Sequence, residues 1–380
     1  MSAKVLRIYA GPKARRHIEQ HGLNPQDVRV VPGAAGGPKG LVLGPLDRFI
    51  FGNWLTASQQ EIHLVGASIG AWRMATACLD DPVTAFQKLE DDYIQQYITA
   101  APGKKLPSAQ IVSEQFGQSL IDFYGGRINQ VLQHPRYRLH IVTSRGRHVM
   151  RRENGVATPL GYLGAFVTNA LHRKAMGAWL ERVVFSSQDA ALPFATGDYR
   201  TRQLPLTEAN FNPALQASCS IPFLLKAVHN IPGAPPGAYW DGGITDYHLH
   251  LDYASELIAA GASGIRADGT FASQSTAKQG LVLYPHFQKA VVPGWLDKSL
   301  KWRHGSTPFL DSTVLLAPDP AWIKSLPNSK LPDRNDFVRY AADPQGRMTV
   351  WTKAVAASRR LADEFQEWLG KPEMGRIEAL

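Results

Sequence analysis

Ile62-His63-Leu64-Val65-Gly66-Ala67-Ser68-Ile69-Gly70-Ala71-Trp72 is the stretch on which the fold turns. Ile62 to Val65 is apolar and partly β-branched, which suits a buried strand. A turn of glycine, alanine and serine follows, and a helix then runs from Ile69 to about Cys78. A strand that feeds a helix through a sharp turn is the repeating unit of a sheet with parallel strands and helices on its faces.

Upstream, the same grammar recurs. Val5 to Ala10 reads as a strand, and Pro12 to His21 as a basic helix stopped by Gly22. Val28 to Val31 is a second strand. It enters the loop Pro32-Gly33-Ala34-Ala35-Gly36-Gly37-Pro38-Lys39-Gly40, after which a helix is expected from about Lys39 to Leu55. Downstream, Pro82 opens a helix reaching Ile98, and residues 100–108 read as a linker. Helices are expected near 111–124, 128–133, 162–179 and Asn212–Ala217, and a closing one from about Thr349 to Leu369. Leu139–Thr143, Arg182–Ser186, Ala238–Trp240, Leu281–Tyr284 and Thr313–Leu316 read as strands, and 187–210 as turns. The class is α/β. No repeat or low-complexity tract marks a boundary, so residues 1–380 are read as one domain.

Composition agrees. The chain has 380 residues, with 44% hydrophobic and 19% charged, enough for a large core and against disorder as the main state. The formal charge of +9 favours anionic surfaces. Cys78 and Cys219 are the only cysteines, which cannot make a disulfide framework and fit a reducing, cytoplasmic setting. The segment Met1 to Ala10 lacks the pattern of a signal peptide, and no run of 18 apolar residues suits a membrane span.

Three motifs carry chemistry. Gly66-Ala67-Ser68-Ile69-Gly70 matches the nucleophile elbow, in the required context of strand before and helix after. Such a turn exposes the serine hydroxyl, and the helix behind it favours developing negative charge. Gly36-Gly37-Pro38-Lys39-Gly40 lies between a strand and a helix, where glycines let several N–H groups face one concavity, as an oxyanion requires. An ordinary glycine turn is the plain alternative. A phosphate loop would need Gly-Lys followed by Ser or Thr, which is missing. Asp241-Gly242-Gly243 ends a strand with its carboxylate free to take a serine proton.

Read in this order, the three motifs resemble the patatin-like phospholipase family of lipid acyl hydrolases. Ala217-Ser218-Cys219-Ser220-Ile221-Pro222-Phe223 is similar to the segment that precedes that family's aspartate motif. The resemblance spans roughly 28–246, with 250–380 as a C-terminal elaboration. It implies a three-layer α/β/α sandwich around a mostly parallel sheet. It also implies a Ser68–Asp241 dyad, an oxyanion hole at Gly36 and Gly37, and a supporting role for Lys39, Gly40, Gly66, Gly70, Gly242 and Gly243. The activity implied is that of a phospholipase A, lysophospholipase or carboxylesterase acting on acyl lipids or esters through an acyl-enzyme, without cofactor or metal. Two departures from the family pattern stand out: Ala35 replaces a glycine, and Pro38 offers no N–H.

Two rival readings stay open. A Ser-His-Asp esterase would need a histidine downstream of its acid, and His248, His250, His286 and His304 are candidates. A non-catalytic lipid- or polyanion-binding protein would also use the positive charge. No nucleic-acid motif is present, and the densest basic tract, Arg145-Gly146-Arg147-His148 with Arg151-Arg152, reads as a solvated loop. Val291 to His304 places Trp295, Leu296, Leu300 and Trp302 among Lys298, Lys301 and Arg303. That pattern suits either a surface helix packed on the core or peripheral contact with an anionic membrane. Cys219 reads as a small buried residue, and Trp72 as a pocket wall or a packing residue. The oligomeric state is left open.

Overall fold

The computed structural model describes residues 4–98, 107–255 and 280–380. The expected linker at 100–108 therefore lies almost wholly outside the described residues. The protein is α/β, built on one mixed, mostly parallel sheet. Its strands are β1 (Leu6–Ala10), β2 (Val28–Gly33), β3 (Ile62–Ala67), β4 (Tyr137–Gly146), β5 (Leu180–Ser186) and β6 (Thr201–Pro205), followed by β7 (Val228–His229), β8 (Ala238–Asp241), β9 (Leu281–Pro285), β10 (Thr313–Pro318) and β11 (Ile377–Ala379). The order is β11-β1-β10-β9-β2-β3-β4-β5-β6, with β8 pairing β4 and β7.

The central strands β10, β9, β2, β3 and β4 run parallel, while β1 opposes β10 and β5 opposes β4. Alternate residues supply two cores, as the two-residue period of a strand requires. Leu64, Ile141, Phe185 and Leu283 face the larger one. That core holds helices Gly44–Gly52, Ile69–Ala77 and Pro82–Gln95 and the long helix Pro344–Gly370. Val65, Val142, Val184 and Val282 face the other, packed on Phe194, Tyr247, Leu249, Leu251 and Tyr253. A sheet buried on both faces agrees with the three-layer sandwich.

Several elements depart from expectation. The helix expected over 39–55 is a 3-10 segment, Gly37–Leu43, followed by the α-helix Gly44–Gly52 and another short 3-10 turn. Pro45 lacks the N–H that would carry the hydrogen-bond ladder through, so it opens a new helix instead. The helix from Pro82 stops at Gln95. The helix expected at 162–179 runs Ala157–Leu171 and then tightens into Arg173–Ala178. The stretch 187–210 contains β6, an exposed edge strand with little apolar alternation to reveal it. Arg145 and Gly146 belong to β4, and Arg145 pairs with Glu181 at 2.8 Å, so the basic tract is only partly loop.

The C-terminal part is not an appendage to the sheet. Strands β9 and β10 lie between β1 and β2, so residues beyond 280 complete its centre. Among the described residues, no helix is long and apolar enough to cross a membrane.

Candidate active site

Ser68 stands at the C-terminal end of β3 and caps the helix Ile69–Ala77. Its backbone is strained, with φ 58° and ψ −132°. A non-glycine residue held there costs roughly 1–3 kcal/mol and persists only where its surroundings enforce it. The enforcement is steric. A Cβ on Gly66 would lie 2.3 Å from the Ala71 Cα, and one on Gly70 would lie 1.8 Å from the Gly33 oxygen. Both glycines are therefore dictated by backbone on the far side. Gly33 pairs with Gly66 in the ladder, which sets the glycine-rich loop after β2 beside the elbow.

Asp241 reaches Ser68 through strand register. Strand β3 pairs with β4 as far as Ala67 opposite Val142. Strand β8 then takes over the same edge of β4 in the opposite direction, with Asp241 opposite Thr143. The last residue of β8 thus occupies the ladder position directly beyond β3, where the elbow turns away. Ser68 Oγ donates to Asp241 Oδ2 at 2.7 Å, and Asp241 Oδ1 accepts from the Gly243 N–H at 2.7 Å. A Cβ on Gly242 would lie 2.1 Å from the Val142 oxygen, so the turn after the aspartate also requires glycine.

Burial pushes the Asp241 carboxyl above its usual range. The positive charge of Arg334, the Ser68 and Gly243 hydrogen bonds and, more weakly, Lys298 pull it back. Both dyad side chains are buried, at 3% exposure for Ser68 and 5% for Asp241.

In the loop after β2, Gly37 has φ 57°, a conformation that favours glycine. It lines the same cleft as Ser68. Gly36 has a Phe287 ring carbon 2.6 Å from where a Cβ would lie. Gly40 packs on the Ile69 side chain, and Lys39 holds its ammonium 5.2 Å from the Phe287 ring centre. The structure thus gathers Ser68, Asp241, Gly37 and the four motif glycines Gly66, Gly70, Gly242 and Gly243, with Gly36, Lys39 and Gly40 as the adjoining shell.

Sequence reasoning passed over Ser218. Its hydroxyl accepts from the Ser68 N–H at 2.9 Å and donates to the Val142 carbonyl at 2.7 Å, tying the Ser68 backbone to β4. The Ala217–Phe223 similarity was its one signal. Arg334 had none, lying far along the chain from any motif, and Lys298 stood out only as a cation of the 291–304 segment.

The cleft holds about 550 Å³ and is lined by Trp72, Tyr93, Phe116, Ile221, Leu225 and other mainly apolar residues. Trp72 is a wall of this cleft and also packs on Phe123. Cys219 lines it too, and burial pushes its thiol up, away from nucleophilic use.

None of the four histidines hydrogen-bonds Ser68. His250 Nε2 contacts Thr307 Oγ1 at 2.8 Å, and His304 Nε2 contacts the Asp297 carbonyl at 2.9 Å. His248 Nδ1 sits between the Ala290 carbonyl and the Val292 N–H, and His286 turns back to Gln288. Burial holds His250 down to about 4 and His286 down to about 3.

No protein-family model and no curated protein matches the chain.

Proposed function

We propose that this protein is a serine acyl-ester hydrolase of the kind its resemblance to patatin-like phospholipases implies. The observation that carries the reading is the 2.7 Å hydrogen bond from Ser68 Oγ to Asp241 Oδ2 on a strained elbow at the end of an apolar cleft. Asp241 takes the serine proton as Oγ attacks the ester carbonyl. The oxyanion forms beside Gly37 and the N-terminus of the Ile69–Ala77 helix. The alcohol leaves with a proton returned from Asp241, and water, activated by the same carboxylate, releases the acid. The apolar walls suit an acyl chain.

A fluorophosphonate probe tests this directly. Ser68 is expected to be labelled in the wild type and the Ser68→Ala protein to be inert. Undiminished labelling of Ser68→Ala would refute the assignment. No labelling and no ester turnover in the wild type, with salt-sensitive polyanion binding, would favour the non-catalytic reading.

Peripheral contact with an anionic lipid surface is part of the proposal, but its supporting feature differs from the expected one. In the 291–304 segment Leu300 is buried and Trp295 half-buried, leaving Trp302 exposed. The helix Ala157–Leu171 carries a far longer stripe. Val156, Leu160, Leu163, Val167 and Leu171 recur at helical spacing and are all at least 51% exposed. Exposed Arg151 and Arg152 precede the stripe and exposed Lys174 follows it. Phe223, exposed at the cleft, touches Tyr162 of the same helix. An apolar stripe with cationic ends, on a helix whose buried Tyr162 touches the cleft residue Phe223, fits an anionic membrane surface. Leu160→Asp/Leu163→Asp is expected to abolish co-sedimentation with phosphatidylserine vesicles. Unchanged co-sedimentation, or a dimer broken by the same pair, would overturn it.

A further inference from the structure

Three cations from distant parts of the chain converge beside the dyad. Lys39 leaves the glycine loop and lies over Phe287. Lys298 lies 3.9 Å from the Tyr247 ring centre and 5.5 Å from that of Trp295. Arg334 reaches the loop from the C-terminal segment, with its Nε 3.2 Å from where a Gly37 Cβ would be. Their charges act on one another. Arg334 and Lys39 both bear on Lys298, Arg334 bears on Lys39 against the stronger opposing charge of Asp333, and Arg334 and Lys298 bear on Asp241.

No ion pair or side-chain hydrogen bond engages any of the three among the described residues. The neighbouring carboxylates are taken. Asp333 and Asp336 bind Lys330 at 2.8 and 2.7 Å. Asp297 binds Arg173 and Arg303. Asp246 binds Arg182 at 2.6 Å. That leaves Asp241, whose two oxygens are committed to Ser68 and Gly243.

Half-buried like charges cost free energy twice, through desolvation and through mutual repulsion. The cost shows in the ammonium groups themselves, since burial first and the neighbouring cations second hold Lys298 down to about 7. Aromatic faces shield Lys39 and Lys298 in part, but they do not neutralise them. An anion would. Arg334 alone of the three lines the cleft with Ser68 and Gly37, so its fork is the one able to reach a bound molecule directly.

We propose that Arg334, supported by the charges of Lys39 and Lys298, forms a subsite for an anionic group carried by the ester substrate close to its scissile carbonyl. The substrate class is then an anionic amphiphile, with its acyl chain in the apolar cleft and a phosphate or carboxylate at Arg334. This rests on the serine-hydrolase reading but can be tested without turnover.

The Ser68→Ala protein is titrated by calorimetry with decyl phosphate, decanoate, decanol and inorganic phosphate. Decyl phosphate or decanoate is expected to bind at least tenfold more tightly than decanol and than inorganic phosphate. The two anionic probes separate a phosphate from a carboxylate preference. Adding Arg334→Ala is expected to erase most of that advantage over decanol, and Arg334→Lys to keep part of it. Thermal melts of both variants establish that they fold. Equal binding of the charged and neutral probes, or an advantage that survives Arg334→Ala, overturns the subsite. Inorganic phosphate binding as tightly as decyl phosphate also overturns it, by assigning a free-anion site. A protein that binds decyl phosphate through Arg334 yet never labels at Ser68 would keep the subsite and lose the hydrolase.

Discussion

Asp241→Asn is the substitution that separates a working dyad from a mere hydrogen bond. In the native site one carboxylate oxygen accepts from the Gly243 N–H and the other from Ser68 Oγ, each at 2.7 Å. An asparagine has one acceptor. Gly243 can only donate, so the amide oxygen must face it and the amide NH2 must face Ser68. The serine hydroxyl then receives a hydrogen bond instead of giving one, and nothing remains to take its proton. Loss of a general base typically costs 10²–10⁴ in rate, roughly 2.7–5.4 kcal/mol in the barrier. Folding should barely change, because burial already disfavours the charged carboxylate, and the isosteric amide removes that burden. The assay is kcat on a short-chain aryl ester, with thermal unfolding alongside. The wild type should also lose kcat as pH falls through the Asp241 value, which burial sets above that of an ordinary aspartate. Asp241→Asn retaining more than about a tenth of kcat, while Ser68→Ala abolishes it, would refute the dyad.

Gly70→Ala should destabilise by about 3 kcal/mol, the upper end of overpacking, because its methyl would meet the Gly33 backbone; chemical denaturation measures this, and an unchanged midpoint would contradict the elbow geometry. Ser218→Ala should orphan the buried Ser68 N–H and Val142 carbonyl at about 1–3 kcal/mol each. It should lower kcat more than it raises KM, and an unaltered kcat and stability would show that the bridge does not hold the nucleophile. Lys298 titrates near 7 when folded against an ordinary 10.5. The unfolded chain therefore binds more protons across that window, and stability should rise with pH from about 7 to 10.5. Lys298→Met should flatten that rise in melting temperature, and an identical slope would place the lysine in a wetter site.

How much was legible depended on the range of the forces involved. The elbow could be read because its pattern is local, although the backbone that demands Gly70 belongs to Gly33 on the neighbouring strand. Gly66 and Gly70 flank one strained serine within five residues, and strand and helix propensity on either side need no distant partner. The Asp-Gly-Gly run is likewise a local pattern, although the atom that demands Gly242 is the Val142 carbonyl of β4. The expected 39–55 helix failed locally too, because Pro45 breaks the hydrogen-bond ladder where apolar spacing alone runs on. The short, exposed β6 gave no two-residue alternation to read.

By itself, then, the sequence determined an α/β chain with a serine turn, a glycine loop and an aspartate turn, since each is a short pattern that flanking strand and helix propensity marks. Tertiary structure decided that they meet. Ser68 and Asp241 are 173 positions apart, and they touch because β8 continues along β4 from the point where β3 ends. Strand pairing of this kind is settled by which surfaces bury together, a property of the whole chain. The insertion of β9 and β10 between β1 and β2 is another such outcome. So is the placing of Lys298 and Arg334 beside Asp241, with Lys39 next to both, because no sequence pattern links cations so far apart along the chain.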